Sequence, residues 1–277
     1  MQTKLILVEG IPGSGKSTFA ELIAQHYQSQ GIAVNLYNEG GFHPADLAWN
    51  ACVPIGELEA ALAPYQSFRA QIDQNTHIEY DYAIISYTQV HTDNAAFYKD
   101  MERYEVYDNR VPFQTFSDLH LKRWQSFAEK AGRLNELTVF ECALLQNHIN
   151  ELMYFHLADI DTMQTYFHKL AQTVRGLSPL LVYLSPSSVR DTILRVAEER
   201  VFPDGRWIDG IVHYFENTPY GKLHHRQGLE GAIQSFEDRK HAELAILTAL
   251  PIQSLVLENR DNDWEKLWQT LKAHLPV

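Results

Sequence analysis

The chain has 277 residues, of which 45% are hydrophobic and 21% charged, and its formal net charge is -12. This composition is typical of a globular protein with a sizeable core, and the acidic balance argues against nucleic acid or an anionic membrane as a partner. No apolar run approaches the roughly 18 residues of a membrane span, and a predicted strand already begins at Lys4. We therefore expect no signal peptide and a cytoplasmic location.

Cysteines and histidines show no disulfide or metal pattern. The two cysteines, Cys52 and Cys142, lie far apart and form no CxxC pair, so we expect neither a disulfide framework nor a zinc ribbon. The thirteen histidines include no HExxH motif, and their spacing is irregular. We interpret them as solvated or packed residues rather than as metal ligands.

The most specific motif lies near the start of the chain. Residues 4–8, KLILV, form an apolar run, and residues 10–18, GIPGSGKST, fit the pattern G-x-x-x-x-G-K-[ST]. Apolar residues at helical spacing follow, and Gly31 marks the expected end of that helix. A glycine-rich loop between a buried strand and a helix curls its N–H groups around phosphate.

We therefore predict a nucleotide-binding loop that binds ATP and Mg²⁺. Within it, Lys16 would reach the terminal phosphates and the Ser17 hydroxyl would ligate Mg²⁺. The predicted binding residues are Gly10, Ile11, Pro12, Gly13, Ser14, Gly15, Lys16, Ser17 and Thr18.

Further apolar segments predict a parallel sheet. Buried strands are expected at residues 32–37, 137–140, 180–184 and 252–257, and helical spacing separates them. Alternating strands and helices favour βαβ units with all strands parallel. The segment 80–87 fits a strand and a buried helix equally well. Other predicted helices span 56–73, 117–130, 144–155, 162–174 and 264–275, and residues 207–249 are expected to be mainly helical.

Two glutamates follow predicted parallel strands. Glu39 comes after the strand at 32–37, and Glu141 comes directly after the strand at 137–140. Ligands of such sheets collect at the carboxyl ends of the strands, so both side chains are expected on the ligand side. Glu141 is predicted to hold Mg²⁺ with Ser17, directly or through water. Glu9 is either an acid behind the ligand or a satisfied buried carboxylate.

Arginines follow the strand at 180–184. Arg190, Arg195 and Arg200 are five residues apart in a predicted helix, so they do not share one face. They are either surface residues or part of a lid over residues 190–206. The loop at 202–206 would then let Arg200 or Arg206 close onto phosphate.

Together these residues resemble the P-loop kinases of small molecules, particularly the thymidylate kinase and deoxynucleoside kinase branch. The Glu9-Gly10 opening of the loop is similar to that of the branch, and Glu39 with Trp49 downstream resembles the glutamate and tryptophan of deoxynucleoside kinases. Gly40 stands where those kinases have proline. Glu141 resembles the acidic residue of the third-strand Asp-Arg motif, but Cys142 replaces the arginine.

The resemblance implies a three-layer α/β/α P-loop fold, with a five-stranded parallel sheet, helical insertions and a lid. It also implies that Glu39 takes the proton from the attacking hydroxyl. In that branch the first lid arginine lies against adenine and later ones touch the transferred phosphate, so the resemblance implies that Arg195, Arg200 or Arg206 would meet the migrating charge. We expect one domain over residues 1–277, with 51–132 inserted on the acceptor side.

The predicted function is an ATP-dependent kinase for a small hydroxyl-bearing acceptor such as a nucleoside, with Lys16, Glu39, Arg195 and Arg200 as catalytic residues. A nucleoside monophosphate acceptor would need a further basic clamp, and the middle segment offers Arg69, Arg103, Arg110 and Arg123 for it. An antibiotic phosphotransferase would use the same parts. A nucleotide-driven ATPase switch is the alternative of another class, although the sequence lacks NKxD and DxxG motifs. The oligomeric state is left open between monomer and homodimer.

Overall fold

A five-stranded parallel sheet organises the fold. The computed structural model describes residues 3–39, 43–202, 205–259 and 263–276. The sheet has the strand order β10-β7-β1-β6-β2, and all of its pairings are parallel. The strands along the chain are β1 (Leu5–Glu9), β2 (Val34–Tyr37), β3 (Ala51–Pro54), β4 (Thr76–Glu79), β5 (Tyr82–Ile85), β6 (Leu137–Glu141), β7 (Leu180–Pro186), β8 (Val201–Phe202), β9 (Gly205–Arg206) and β10 (Gln253–Asn259).

Helices connect these strands. They are α1 (Lys16–Gln28), α2 (Leu58–Leu62), α3 (Arg69–Gln74), α4 (Ala95–Glu102), α5 (Phe113–Arg133), α6 (Gln146–Ile149), α7 (Ile160–Thr173), α8 (Val189–Glu199), α9 (Trp207–Asn217), α10 (Pro219–Leu223), α11 (Gly228–Leu247) and α12 (Trp264–Lys272). Short 3₁₀ turns lie at 55–57, 63–68, 87–89 and 175–177, and a π-helical turn at 150–155 extends α6.

The two faces of β1 pack against different helices. Leu5 and Leu7 belong to a core that includes Trp124 of α5 and residues of α7 and α11. Ile6 and Val8 belong to a second core, with apolar residues of α1 and α12. Because successive side chains of a strand point to opposite faces, this division places the sheet between two helical layers. The predicted three-layer α/β/α fold is confirmed.

The apolar sequence of β1 explains its central position. All five of its residues are buried, as are those of β6, on one side of it, and of β7, on the other. A parallel strand covered on both faces favours a nearly continuous apolar run, which in β1 and β6 ends on a buried glutamate. The register pairs Val8 with Glu141 and Glu9 with Tyr183, so the carboxyl ends of the three strands meet at one edge.

The insertion builds a second, smaller sheet. Strands β3, β5 and β4 pair in that order and are antiparallel, which shows that the ambiguous segment 80–87 contains a strand at 82–85. The predicted helix at 56–73 is divided into short turns, and Tyr65, which follows Pro64, has non-helical angles. A separate apolar core lies between this sheet and α4.

The helical region after residue 206 is divided into α9, α10 and α11, and its sequence explains where the divisions fall. The Thr218 side chain caps α10, whose first residue is Pro219, and α11 begins at Gly228 with a φ of 58°. This agrees with the expectation that residues 207–249 are mainly helical. The loop residues Gly40, Pro203 and Asp204 lie outside the described residues. None of the described helices combines the length and apolar character needed to span a bilayer.

Candidate functional site

The phosphate loop connects the end of β1 to the start of α1, as predicted. Gly10, Gly13 and Gly15 all have positive φ, at 145°, 80° and 92°. A Cβ on Gly13 would lie 2.3 Å from Val196 Cγ2, and one on Gly15 would lie 2.6 Å from the Trp264 ring. Glycine is therefore required at both positions by conformation and by space.

Two polar side chains of the loop have few partners. Lys16 is buried, and its Nζ donates to the Ile11 carbonyl at 3.0 Å. The Ser14 hydroxyl is also buried and has no hydrogen-bond partner among the described residues. Buried polar groups are normally satisfied, so these donors and the amides at the start of α1 fit a triphosphate.

An oxygen-rich cluster lies beside the loop. Ser17 Oγ donates to Glu141 Oε1 at 2.6 Å, and the Glu39 amide donates to Glu141 Oε2 at 3.3 Å. Glu39 Oε1 accepts from Gln146 Nε2 at 2.6 Å. These residues meet because β1, β6 and β2 are neighbours in the sheet. Hydroxyl and carboxylate oxygens are the ligands that Mg²⁺ prefers, so the donor set fits this ion.

Cys142 lies next to this cluster. Ligand atoms of Glu39, Glu141 and Cys142 lie within 4.8 Å of one another, and Cys142 has a φ of 62°. Burial raises the pKa of the Cys142 thiol well above its ordinary value, which keeps the sulfur neutral. A neutral thiol is a poor ligand for a hard cation, so the oxygens define the candidate metal position.

A cavity of about 1410 Å³ joins the phosphate loop to the insertion. Its wall includes Glu39, Glu141 and aromatic side chains from three regions of the chain, namely Trp49, Tyr107 and Tyr214. Such a concave space, mostly apolar with a few converging polar groups, is the usual form of a small-molecule site. Both predicted glutamates therefore line one cavity together with six residues of the predicted nucleotide loop, namely Pro12, Gly13, Gly15, Lys16, Ser17 and Thr18.

The insertion side of the cavity is acidic. Glu102, Glu105, Asp108 and Glu151 contribute to its wall. Glu105 accepts from Tyr87 and from Arg110, at 2.6 and 2.7 Å. Glu151 accepts from the amides of Asp108 and Asn109, at 2.6 and 2.8 Å, and burial raises its pKa to about 7.

The arginines of the predicted lid separate into two groups. Arg195 and Arg200 line the cavity. Arg195 Nη2 donates to the Gly13 carbonyl at 2.9 Å, and the Arg200 guanidinium lies 5.4 Å from the Trp207 ring centroid. Arg190 and Arg206 instead form ion pairs with Glu230 and Asp209, and neither belongs to the cavity wall that the structure describes.

The proposed basic clamp of the insertion does not form in the described structure. Arg69, Arg103 and Arg110 pair with nearby carboxylates, and none of them lines the cavity. Arg123 is buried against Glu79 and the His43 carbonyl, also away from the cavity wall. Local acidic partners hold these cations in place, so they do not converge on a shared phosphate position.

Several cavity residues carry no sequence motif. The cavity is also lined by Gln146, Asn150 and Arg239. Arg239 lies on α11, for which the sequence predicts only a helix. The sole local signal is the i, i+4 spacing of Arg239 and Glu243, whose Nε and Oε1 atoms lie 2.9 Å apart. That spacing is common on surface helices and does not indicate burial.

A buried polar network lies behind the wall. Asp46 accepts from Tyr107 at 2.5 Å and from Asn147 at 2.7 Å, and both donors line the cavity. The rings of His120 and His148 lie 3.7 and 4.0 Å from Asp46 Oδ1. Ligand atoms of His120, His148 and Asp46 lie within 4.8 Å of one another and all three residues are buried, a grouping that the irregular spacing of the histidines in the sequence does not indicate. The network orients Tyr107 and Asn147.

Glu9 is a fully buried carboxyl group. Its Oε1 accepts from the Leu144 amide at 2.7 Å, and burial raises its pKa to about 8. It does not belong to the cavity wall that the structure describes. Its Oε2 is buried without a hydrogen-bond partner among the described residues, so Glu9 is a buried carboxyl group of which only one oxygen is satisfied.

This burial predicts a pH-dependent stability. Folded Glu9 keeps a proton that the unfolded chain releases above its ordinary pKa of 4.5, so its contribution is complete below that value and is lost as pH rises through about 8. Glu9→Gln should remove a slope of up to about 1.4 kcal/mol per pH unit from the unfolding free energy. Urea unfolding at pH 5 to 8 measures this, with exposed Glu198→Gln as control. Parallel curves for wild type and Glu9→Gln would contradict it.

No family model matches this chain, and no curated protein matches it in sequence. Among solved structures, thymidylate kinase from Ehrlichia chaffeensis has 13% identity and a TM-score of 0.38, with 100% of both chains covered. Thymidylate kinase from Candida albicans has 14% identity and a TM-score of 0.40, covering 99% of this chain and 92% of the other.

A structure from the PezAT chromosomal toxin–antitoxin system of Streptococcus pneumoniae has 12% identity and a TM-score of 0.33, covering 93% of this chain and 69% of the other. At such low identities and TM-scores, the chemistry of this chain must be derived from its own residues.

Proposed function

We propose that the protein is an ATP-dependent kinase that transfers the terminal phosphoryl group to a hydroxyl of a small molecule. One observation carries this proposal: Ser17, Glu141 and Glu39 meet beside a phosphate loop and face a cavity large enough for two substrates. Phosphoryl transfer requires mainly positioning and neutralisation of charge, which this combination can supply.

Each part has a distinct role in the proposed reaction. The loop amides and Lys16 bind the triphosphate, and Ser17 and Glu141 hold Mg²⁺, which when bound neutralises phosphate charge. Glu39 accepts the proton of the attacking hydroxyl. Arg195 already contacts the loop at Gly13, so it can meet phosphate without a large movement, while Arg200 would close from the other end of the proposed lid.

The charges on the cavity wall indicate which acceptors the site can bind. The insertion side of the wall carries the carboxylates of Glu102, Glu105 and Asp108, and all three are already paired with Arg110, which lies outside the described wall. Arg110 offsets only one of these negative charges, so the carboxylates together would still repel an acceptor phosphate. A neutral or amine-bearing hydroxyl compound is the acceptor that this wall favours. We propose a cytoplasmic enzyme, consistent with two free, buried cysteines.

The direct test is ADP release with ATP and Mg²⁺ across nucleosides, nucleoside monophosphates, sugars and aminoglycoside-like compounds. We expect strong stimulation by one neutral or cationic class, and none by monophosphates. The product, identified by mass spectrometry, should carry one added phosphoryl group.

The same assay separates the kinase from an ATPase switch. A slow, acceptor-independent hydrolysis across the whole panel, together with a partner protein bound only in the presence of nucleotide, would favour the switch. Stimulation by monophosphates alone would overturn the acceptor class but keep the kinase.

A further inference from the structure

Arg239 on α11 is a buried cation that faces the candidate site. Its side chain is 2% exposed, and it nevertheless lines the cavity. The guanidinium group is always charged in proteins, and burial of a charge is costly unless it is paired. Its acidic partner is Glu243, which is itself fully buried and also accepts from Tyr183 at 2.5 Å. The guanidinium of this ion pair therefore lies inside the cavity wall, with its charge balanced by Glu243 on the Nε side.

The other edge of the guanidinium is weakly occupied. Nη1 donates to Asn150 Oδ1 at 3.2 Å, and Nη2 donates to Gln146 Oε1 at 3.4 Å and to the Gly10 carbonyl at 3.5 Å. Hydrogen bonds from arginine to an anion are shorter, at about 2.7–2.9 Å. All three acceptors are neutral. Among the described residues, this edge of Arg239 thus has no anionic partner, although Glu243 neutralises the Nε side.

The position of this edge relates it to the proposed reaction. Gly10 opens the phosphate loop, and Gln146 also donates to Glu39 at 2.6 Å. Arg239 therefore lies between the phosphate loop and the proposed base. We propose that its Nη groups bind phosphoryl oxygens in the cavity, namely those of the transferred group. This inference rests on the proposed function. It assigns the phosphate-binding cation to α11, since the residue directly after β6 is Cys142, which carries no positive charge.

The test removes the cation without leaving a buried unpaired carboxylate. The double variant Arg239→Met/Glu243→Gln is compared with Glu243→Gln alone, after thermal melting has shown that both fold. Arg226→Met is the matched control, because Arg226 pairs with Asp238 and does not line the cavity that the structure describes. Calorimetric titrations with Mg²⁺ measure the affinities for ADP, for the non-hydrolysable ATP analogue AMPPNP and for nucleoside monophosphates.

We expect the double variant to bind AMPPNP at least tenfold more weakly than Glu243→Gln, with ADP affinity changed less than threefold and Arg226→Met unchanged. Loss of monophosphate binding alone would overturn the assignment to the transferred group and identify an acceptor phosphate instead. Affinities within twofold for all three ligands would refute phosphoryl binding altogether.

The test also covers a double variant that does not fold and a wild-type protein that binds no nucleotide. If the double variant does not fold, Arg239→Lys replaces it, and we expect AMPPNP to bind at least threefold more weakly because lysine lacks the planar fork. Unchanged AMPPNP affinity in that variant would refute the proposal. A folded wild-type protein that binds no nucleotide would refute the proposed kinase function itself, and this inference with it.

Discussion

Lys16→Ala is expected to abolish phosphoryl transfer while leaving the fold intact. The ammonium group is the buried cation inside the phosphate loop, and its hydrogen bond to the Ile11 carbonyl at 3.0 Å holds it within the loop. Removing one well-placed charge from a phosphoryl-transfer site costs about 4 kcal/mol of transition-state stabilisation, or about a thousandfold in rate. The measurement is acceptor-dependent ADP formation at saturating ATP.

The fold should survive because the contact that is lost lies within the loop. Lys240→Ala is the matched control: Lys240 Nζ also donates to a backbone carbonyl, that of Pro186 at 2.6 Å, but it lies outside the described cavity wall. We expect Lys240→Ala to keep its turnover and both variants to keep the circular dichroism of the wild type. Turnover of Lys16→Ala within tenfold of wild type would contradict the assigned role.

The sheet and the phosphate loop could be predicted because their signals are local. The run at 4–8 and the motif at 10–18 lie within one strand, one turn and one helix, and each residue type there meets a local requirement. The position of Glu141 followed from the same reasoning, since parallel strands share an edge for their carboxyl ends. Its hydrogen bond with Ser17 connects two such strand ends.

The insertion and Arg239 could not be predicted, because their positions depend on pairing between distant segments. The strand at 82–85 is defined by antiparallel partners at 51–54 and 76–79, so an isolated apolar run of that length was ambiguous. Arg239 reaches the cavity only because α11 packs against α7, α8 and α9, which are distant in the sequence or joined to it by loops. Sequence spacing cannot distinguish such a helix face from an exposed one. Glu243, four residues after Arg239, even suggests exposure, because such charged pairs are common on surface helices.

Glu141→Gln and Glu39→Gln are expected to impair the enzyme in different ways. Glu141 is buried and accepts from Ser17, the other predicted magnesium ligand, so its loss should raise the Mg²⁺ concentration for half-maximal rate at least tenfold. Glu39 is the exposed member of the cluster and is assigned as the base. Its loss should lower kcat about a hundredfold to a thousandfold and leave the Mg²⁺ requirement unchanged.

Magnesium titrations of the acceptor-dependent rate separate these roles. Glu129→Gln, at an exposed position on α5, controls for the loss of a carboxylate as such. Because Glu39 and Glu141 offer atoms within 4.8 Å of each other, Glu39 is also close enough to be a metal ligand. If both variants raised the Mg²⁺ requirement equally, Glu39 would belong to the metal site and the hydroxyl would need another base. If only Glu141→Gln raised the Mg²⁺ requirement, the two carboxylates would have the proposed roles. Glu141 of β6 would hold the metal, and Glu39, which follows β2, would accept the proton.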